Sequence, residues 1–384
     1  MRIGLLGFEF AADNLGCEAL TFSLLTLLRP SLGASDITFR SFEMSGDLGH
    51  VGQLFPEWRF ESAPADLRRH PLAVIRSFNE CDLIIDVTYG DSFSDLYIKR
   101  ATLRDLVLKE LAVRSRALYV LAPQTYGPFH NSAFRLLARD VLRHADRVYA
   151  RDDRSAGYVN ELSGVKAPVV QDMAFALPYT TARVSRTADT DLERAGVNVS
   201  GLLWRGGFEA ENQFCLSVNY REYVRGVVQG LLEDHCEVVL VPHVIGRSQT
   251  SHDDDYTTCQ ALADEFAGAG VSLAPRFATC VDAKSFIAGL DFFTGARMHS
   301  TIAAYSTRVP VAPFSYSRKF EGVFEGLNYP YVVSGTTLST REAVDMTLNL
   351  YGRRSELAQE MQSSGEALEG SLGRFAASIG ELIK

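Results

Sequence analysis

At 384 residues the chain exceeds what one ordinary core organises, so two domains are expected. Its composition, 46% apolar and 22% charged, is that of a globular protein, and no uninterrupted apolar run nears the roughly 20 residues of a bilayer-spanning helix. A formal net charge of −9 argues against a general nucleic-acid binder, which needs a concentrated basic face.

The opening run Met1-Arg-Ile-Gly-Leu-Leu-Gly-Phe8 breaks at Gly7 and soon meets Glu9 and Asp13. It reads as a first strand and not as a secretory signal, so a cytoplasmic location is expected. A strand from Arg2 to Gly7, a loop to Gly16 and helical spacing from Cys17 to Leu28, ended by Pro30, open a nucleotide-type α/β domain. No G-x-G-x-x-G follows the strand, which argues against a dinucleotide cofactor. Asn14, Gly16 and Glu18 fall at the helix start, where they either face a ligand or only shape the turn.

Strand and helix patterns then alternate. Ile37 to Phe42 reads as a strand, and Asp82-Leu-Ile-Ile-Asp86 as a buried one that runs into Val87-Thr-Tyr-Gly-Asp-Ser-Phe-Ser-Asp95. Asp86, Asp91 and Asp95 are candidates for a base or for holding an acceptor hydroxyl, although loop aspartates also cap helices. Tyr97 to Ala112 has helical spacing, and Ala117 to Leu121 is a strand followed by Ala122-Pro-Gln-Thr-Tyr-Gly-Pro-Phe129. Asn131 to His144 is an amphipathic helix and Arg147 to Ala150 a strand. Arg151-Asp-Asp-Arg-Ser155 then starts a helical pattern that ends at Gly164. The aspartates suit a helix N-terminus, whereas Arg151 suits it only beside an anion or a carboxylate; an ion pair is the plainer alternative.

Polar residues from Thr180 to Arg194 mark the interdomain linker. The predicted organisation is an N-terminal domain over 1–180, a linker over 181–194, a C-terminal domain over 195–340 and terminal helices over 341–384, the last packing back on the first domain. In the second domain Val197 to Leu203 reads as a strand, Asn219 to Glu233 as a helix and Glu237 to Val241 as a strand ending in Pro242-His243. His243 either faces the ligand crevice or is structural. Asp253 to Gly268 is helical, and His252 with Asp253, Asp254 and Asp255 reads as a solvated helix start, because consecutive residues do not converge readily on one ion. No metal ligand set stands out. The six cysteines (Cys17, Cys81, Cys215, Cys236, Cys259 and Cys280) lack a C-x-x-C pair and read as reduced, mainly buried thiols.

Val271 to Ala274 is a short strand and Asp282 to Ala288 a helix. The stretch most charged with chemistry follows, Gly295-Ala-Arg-Met-His-Ser300 directly after an apolar strand ending at Phe293. Gly295 marks a strand-to-helix turn at a strand's carboxyl end, where a new helix offers free N–H groups and the positive end of its dipole. Arg297 adds a forked donor for phosphate or carboxylate, and His299 can move a proton near neutral pH. The alternative is a surface-loop arginine and a satisfied histidine. Val309 to Phe314 is a further strand, and Arg318 and Lys319 stand where the next helix begins, a poor place for cations without a negative ligand. Thr340 to Lys384 reads as two helices.

In order along the chain, Asn14-Leu-Gly-Cys-Glu-Ala-Leu20, Pro123-Gln-Thr-Tyr-Gly-Pro128, Arg151-Asp-Asp-Arg-Ser155, Gln171-Asp-Met-Ala-Phe175, Val241-Pro-His243, Gly295-Ala-Arg-Met-His299 and Val309 to Lys319 resemble the polysaccharide pyruvyl transferase family. The resemblance implies two Rossmann-like domains facing across a cleft, as in the glycosyltransferase B (GT-B) fold, and transfer of a pyruvyl group from phosphoenolpyruvate to sugar hydroxyls. It places Arg151, Arg297 and His299 at the phosphoenolpyruvate site, with Lys319 at the family's basic position after an aromatic turn. Asn14, Gly16, Glu18, Gln124, His243, Ser300 and Arg318 are further candidate substrate contacts. His299 is the candidate general acid, Arg297 a stabiliser of the leaving group and Asp91 the candidate base. Cys17 stands where the family commonly has Asp, Met298 where it has Leu, and a single Gly90 where a glycine-rich stretch is common. The implied partners are phosphoenolpyruvate as donor substrate, with no further cofactor, and a lipid-linked, nucleotide-linked or polymeric saccharide acceptor. No nucleic acid and no membrane span are expected, a peripheral place at the inner face of a membrane is compatible, and an oligomer is left open. The competing readings are a GT-B glycosyltransferase using a nucleotide sugar and a non-catalytic ligand-binding relative.

Overall fold

Alternating short apolar strands and helices produce two parallel six-stranded sheets in the computed structural model. It describes residues 1–33, 36–43, 47–96, 99–180, 192–207, 212–246 and 253–383, without the side chains at 318, 319, 321 and 363–367. Two compact units emerge: the first contains Met1–Ala12, Leu20–Ala176 and Leu368–Lys384, the second Asp13–Ala19 and Leu177–Ala367.

The first unit runs β1 (Arg2–Leu6), α1 (Leu15–Leu32), β2 (Thr38–Ser41), α2 (Val51–Leu54), β3 (Arg59–Ser62), α3 (Pro71–Asn79), β4 (Leu83–Asp86), α4 (Lys99–Val113), β5 (Leu118–Gln124), α5 (Ser132–His144), β6 (Arg147–Ala150) and α6 (Asp153–Ser163). Its strand order is β3-β2-β1-β4-β5-β6, all parallel. Strands covered on both faces need continuous apolar sequence, and Leu83, Ile84 and Ile85 are fully buried. On α5 the buried positions Phe134, Ala138, Val141 and Leu142 recur at helical spacing, and Asn131 caps the start by accepting from the N–H groups of Ala133 and Phe134. The chain reverses direction across the sheet between β1 and β4. There Gly7, at φ +69°, lies so close to Thr88 that a Cβ would come within 2.6 Å of its backbone nitrogen.

The second unit repeats the topology with β7 (Arg194–Asn198), α7 (Gly201–Trp204), α8 (Tyr220–Glu233), β8 (Glu237–Leu240), α9 (Asp255–Glu265), β9 (Val271–Leu273), α10 (Cys280–Ile287), β10 (Phe292–Gly295), α11 (Met298–Ser306), β11 (Val311–Ser315), α12 (Arg318–Glu325) and β12 (Val333–Ser334), followed by α13 (Thr340–Gly352) and α14 (Arg354–Ile383). Its order, β12-β11-β10-β7-β8-β9, is the same doubly wound pattern, with the reversal between β7 and β10. The last part of α14 joins the first unit, where the Tyr149 hydroxyl meets Ser378 and its ring packs edge-on against Phe375.

Several expectations change. The apolar run from Val197 to Leu203 is not one strand: β7 stops at Asn198, and Ser200 accepts from the Leu203 N–H to start α7. Arg194, expected in the linker, opens β7, where its N–H donates to Asp291; residues 181–191 of that linker lie outside the described residues, as do His252 and the first two residues of the helix expected from Tyr97. Residues 13–19, expected in the first domain, group with the second unit. Asn14 bridges Val244, the Leu15 N–H donates to the His243 carbonyl, and the Ile245 N–H donates to the Asp13 carbonyl.

Candidate active site

In the second unit the candidates converge on the carboxyl ends of β7, β8 and β10, at the reversal point where ligands of this sheet topology bind. Arg297 precedes the first turn of α11 as its N-cap. Its N–H donates to the Asn198 side chain at 2.9 Å, which ties the start of α11 to the end of β7. The spacing is tight by construction: a Cβ on Gly295 would meet Asn198 Cβ at 2.5 Å.

The Arg297 guanidinium does not project freely. Its Nε donates to both oxygens of Asp255 at 3.2 Å, its Nη2 to Asp255 at 2.7 Å, and it pairs with Asp253 as well. Asp255 is fully buried and also accepts from the N–H groups of Gly201, His243 and Val244. Burial alone lowers the pKa of Arg297, but the charges of Asp255 and Asp253 outweigh it and leave the group firmly cationic. Burial raises the pKa of Asp253, against the pull of Arg297. The acidic run expected to be a solvated helix start is thus mostly interior: Asp254 is buried and caps α9, and its neighbours hold Arg297. Among the described residues no group of three or more His, Cys, Asp or Glu is placed to hold a metal ion.

His299, half-buried in the first turn of α11, abuts the first turn of α1. Gly16 makes this contact possible, since a Cβ there would lie 2.3 Å from His299 Nδ1. Asn14 shapes the same turn by accepting from the Gly16 N–H at 3.0 Å. Next to them His243 is buried with neither ring nitrogen hydrogen-bonded. Burial first, then the nearby charges of His299 and Arg297, push its pKa down to about 3, so the ring is neutral. Two candidates are engaged in the scaffold. A Glu18 carboxylate oxygen accepts from the Cys280 N–H at the start of α10, and the Ser300 hydroxyl donates to the Arg297 carbonyl. The side chains of Arg318 and Lys319 lie outside those described.

The candidates of the first unit gather at the carboxyl ends of β4, β5 and β6. Arg151 is almost wholly buried; its Nη1 pairs with Asp172 at 3.0 Å, while Nε and Nη2 have no hydrogen-bond partner. Its N–H donates to the carbonyl of Gln124, whose side-chain Nε2 is used by the Asp86 and Ala122 carbonyls and whose Oε1 has no partner. Arg151 thus keeps two guanidinium nitrogens and Gln124 its amide oxygen without a hydrogen-bond partner in the interior, groups suited to an oxyanion and to a hydroxyl donor respectively. Of the aspartates in this region, Asp86 is committed to the interior. It pairs with buried Lys109 and accepts from the Tyr119 hydroxyl and from the N–H and hydroxyl of Thr88. Asp95 accepts from the N–H groups of His130 and Asn131. Asp91 follows the turn at 88–90 and is half-buried next to Ser92.

Lys109, Asn198, Asp172, Asp253 and Asp255 are the residues of these clusters that sequence reasoning did not single out for a role. The only local signal was the Asp-x-Asp spacing ahead of α9.

A family model described as polysaccharide pyruvyl transferase matches residues 14–318. Among solved structures, a Listeria monocytogenes protein assigned as a UDP-N-acetylglucosamine 2-epimerase is similar at 13% identity and a TM-score of 0.62, covering 100% of this chain and 96% of that one. A UDP-GlcNAc 2-epimerase from Neisseria meningitidis, bound to UDP-GlcNAc, gives 12% and 0.58, covering 100% and 99%. A ugt transferase from Siraitia grosvenorii in complex with UDP gives 10% and 0.56, covering 100% of both chains. At such identities the likeness is one of fold, the pair of Rossmann-like units of GT-B type. No curated protein matches the chain.

Proposed function

The chain belongs to the polysaccharide pyruvyl transferase family, and from that premise we propose that it transfers a pyruvyl group from phosphoenolpyruvate to two hydroxyls of a sugar in a cell-surface polysaccharide or its precursor. The products are a pyruvate ketal and inorganic phosphate. The observation that carries the reading is the start of α11, where Arg297 and His299 stand on one turn beside a neutral His243, with Gly16 leaving room for the His299 ring.

His299 delivers a proton to the vinyl CH2 carbon of phosphoenolpyruvate, and positive charge develops on the adjacent carbon. A sugar hydroxyl attacks that carbon and loses its proton to a base, for which Asp91 is the candidate. The C–O bond to phosphate then breaks, and a second hydroxyl adds with loss of its proton to close the ketal. Of the two protons released by the sugar hydroxyls, one replaces the proton consumed at the CH2 group and the other leaves on the phosphate as hydrogen phosphate. The general acid contributes roughly 10²–10⁴-fold to the rate. His243 is held neutral by its burial and so stands beside His299 as an uncharged imidazole.

Arg297 keeps Asp255 and gives up Asp253 to the donor's anionic groups, since Asp253 is the more exposed of the two carboxylates and the one whose pKa burial raises. Arg151 supplies the second anion-binding guanidinium and Gln124 an acceptor for a hydroxyl; Asn14 and Gly16 set the turn against His299. The functional test incubates the protein with phosphoenolpyruvate and saccharide acceptors of the three classes. Phosphate release matched by an acceptor mass gain of one pyruvate less one water supports the reading. Sugar transfer from a nucleotide sugar, with phosphoenolpyruvate inert, replaces it by a glycosyltransferase.

A further inference from the structure

Four of the nine exposed large apolar residues among the described residues, Leu72, Ile75, Leu103 and Leu136, belong to one layer of the first unit. The layer consists of α3, α4 and α5, which follow β3, β4 and β5 respectively and pack side by side. Every strand they join is parallel and each crossover moves the same way across the sheet. Right-handed crossovers therefore put the three helices on one face of the sheet, running in the same direction. Leu72 is the second residue of α3, Leu103 the fifth of α4 and Leu136 the fifth of α5. They are 77%, 46% and 65% exposed, and form a row across three neighbouring helices at their N-terminal ends.

Single exposed leucines need no explanation, but one on each of three adjoining helices, each within its first five residues, is a pattern. Its charge is equally uneven. Arg68 lies just before α3, Lys99 and Arg100 open α4, and Arg135 and Arg139 lie along α5, all exposed. Arg68, Lys99, Arg100 and Arg139 have no ion-pair partner among the described residues, whereas Arg135 reaches Glu161 at 3.5 Å. In a chain of net charge −9, an apolar row fringed by uncompensated cations runs against the overall sign.

We propose that this face of the first unit docks reversibly on an anionic phospholipid surface, the leucines entering the boundary of the acyl chains and the cations meeting lipid phosphates. The basic fringe selects the occupant: an apolar row alone would suit many partners, whereas each cation near an anionic bilayer adds attraction that adjacent apolar side chains supplement. No helix among the described residues is long and apolar enough to cross a membrane, so the attachment is peripheral. The proposal goes beyond pyruvyl transfer and does not depend on it; joined to it, docking would favour a lipid-linked acceptor, because the leucine row lies at the edge of the sheet where the carboxyl ends of β4 to β6 carry Asp91, Gln124 and Arg151.

The test is co-sedimentation of the full chain with vesicles of phosphatidylcholine alone and of phosphatidylcholine mixed with phosphatidylglycerol, at low and high salt. Two variants are measured beside it, Leu72→Ser/Leu103→Ser/Leu136→Ser and Arg68→Gln/Lys99→Gln/Arg100→Gln, each checked for an unchanged melting curve. Binding to the anionic vesicles that weakens with salt and falls by about tenfold or more in both variants is the expected result. Failure to sediment with anionic vesicles, equal binding to the neutral ones, or binding unchanged in either variant overturns the proposal. So does a concentration-dependent dimer that the leucine variant abolishes without any vesicle binding, which would assign the face to a second copy of the chain.

Discussion

Arg297 is the residue where stability and chemistry are most entangled, because the guanidinium proposed to meet the donor also neutralises buried Asp255. Arg297→Ala leaves that carboxylate in the interior without its cation, a loss of about 3–5 kcal/mol. Its melting temperature should fall sharply, and Asp255→Asn in the same chain should restore part of it. His299 and Gly16 separate the two effects. His299→Gln is expected to lower turnover by about 10²–10⁴-fold with thermal unfolding little changed. Gly16→Ala improves the helix propensity of α1 by about 0.5–1 kcal/mol yet drives a Cβ into the His299 ring, so stability should hold while activity drops. Turnover and melting of the two variants, measured together, check this; a Gly16→Ala protein with full activity would remove the contact from the mechanism. His243 adds a pH dependence. Unfolded, it binds a proton below its ordinary value of 6.5, whereas the folded ring stays neutral down to about 3. The contribution is fully present above about pH 6.5 and is lost as pH falls toward 3, at up to about 1.4 kcal/mol per unit. Denaturant unfolding at pH 7 and pH 4.5 should show a larger loss for the wild type than for His243→Gln; equal losses would contradict the assignment.

At the scale of elements, the loop after β4 shows how a buried pair can hold an unfavourable backbone. Thr88 and Tyr89 sit at φ +45° and +56°, a region costly for a β-branched and a bulky residue. Asp86 fixes Thr88 through two hydrogen bonds, and Lys109 on α4 fixes Asp86. Lys109→Met should therefore destabilise the first unit by about 3–5 kcal/mol, and Lys109→Met with Asp86→Asn by clearly less. Chemical denaturation of the two variants decides it; equal losses would mean that Lys109 matters for packing and not for charge. That pairing was not legible from the sequence, since nothing local joins positions 23 residues apart, and the same holds for Arg297 with Asp253 and Asp255. What was legible depended on local signals. The strand, glycine turn and helix around Gly295 follow from an apolar run meeting a break, and α5 and α6 follow from their spacing and caps. The run from Val197 to Leu203 misled because an apolar segment looks alike in a buried strand and a buried helix start, and only Ser200 as a cap divides it. The edge strand β3, exposed or half-buried throughout, has no apolar pattern by which to be read.

Across the whole molecule, two sheets of the same order each reverse direction once, and the candidate residues of the second unit collect at its reversal, between β7 and β10. That concentration was foreseeable in kind, because loops at the carboxyl ends of parallel strands carry the ligand contacts of such folds. The fate of individual side chains was not: Glu18 and Ser300 serve backbone groups, while Arg151 retains two idle nitrogens in the interior. The account rests on phosphoenolpyruvate as the donor. Calorimetric titration of the purified protein with phosphoenolpyruvate and with a panel of UDP-sugars, repeated on Arg151→Gln and on Arg297→Ala with Asp255→Asn, tests it without knowledge of the acceptor. The predicted result is saturable binding of phosphoenolpyruvate that weakens by about tenfold or more in each variant, a buried charge-assisted contact being worth roughly 1.5–3 kcal/mol. Tight binding of a UDP-sugar with none of phosphoenolpyruvate would contradict it.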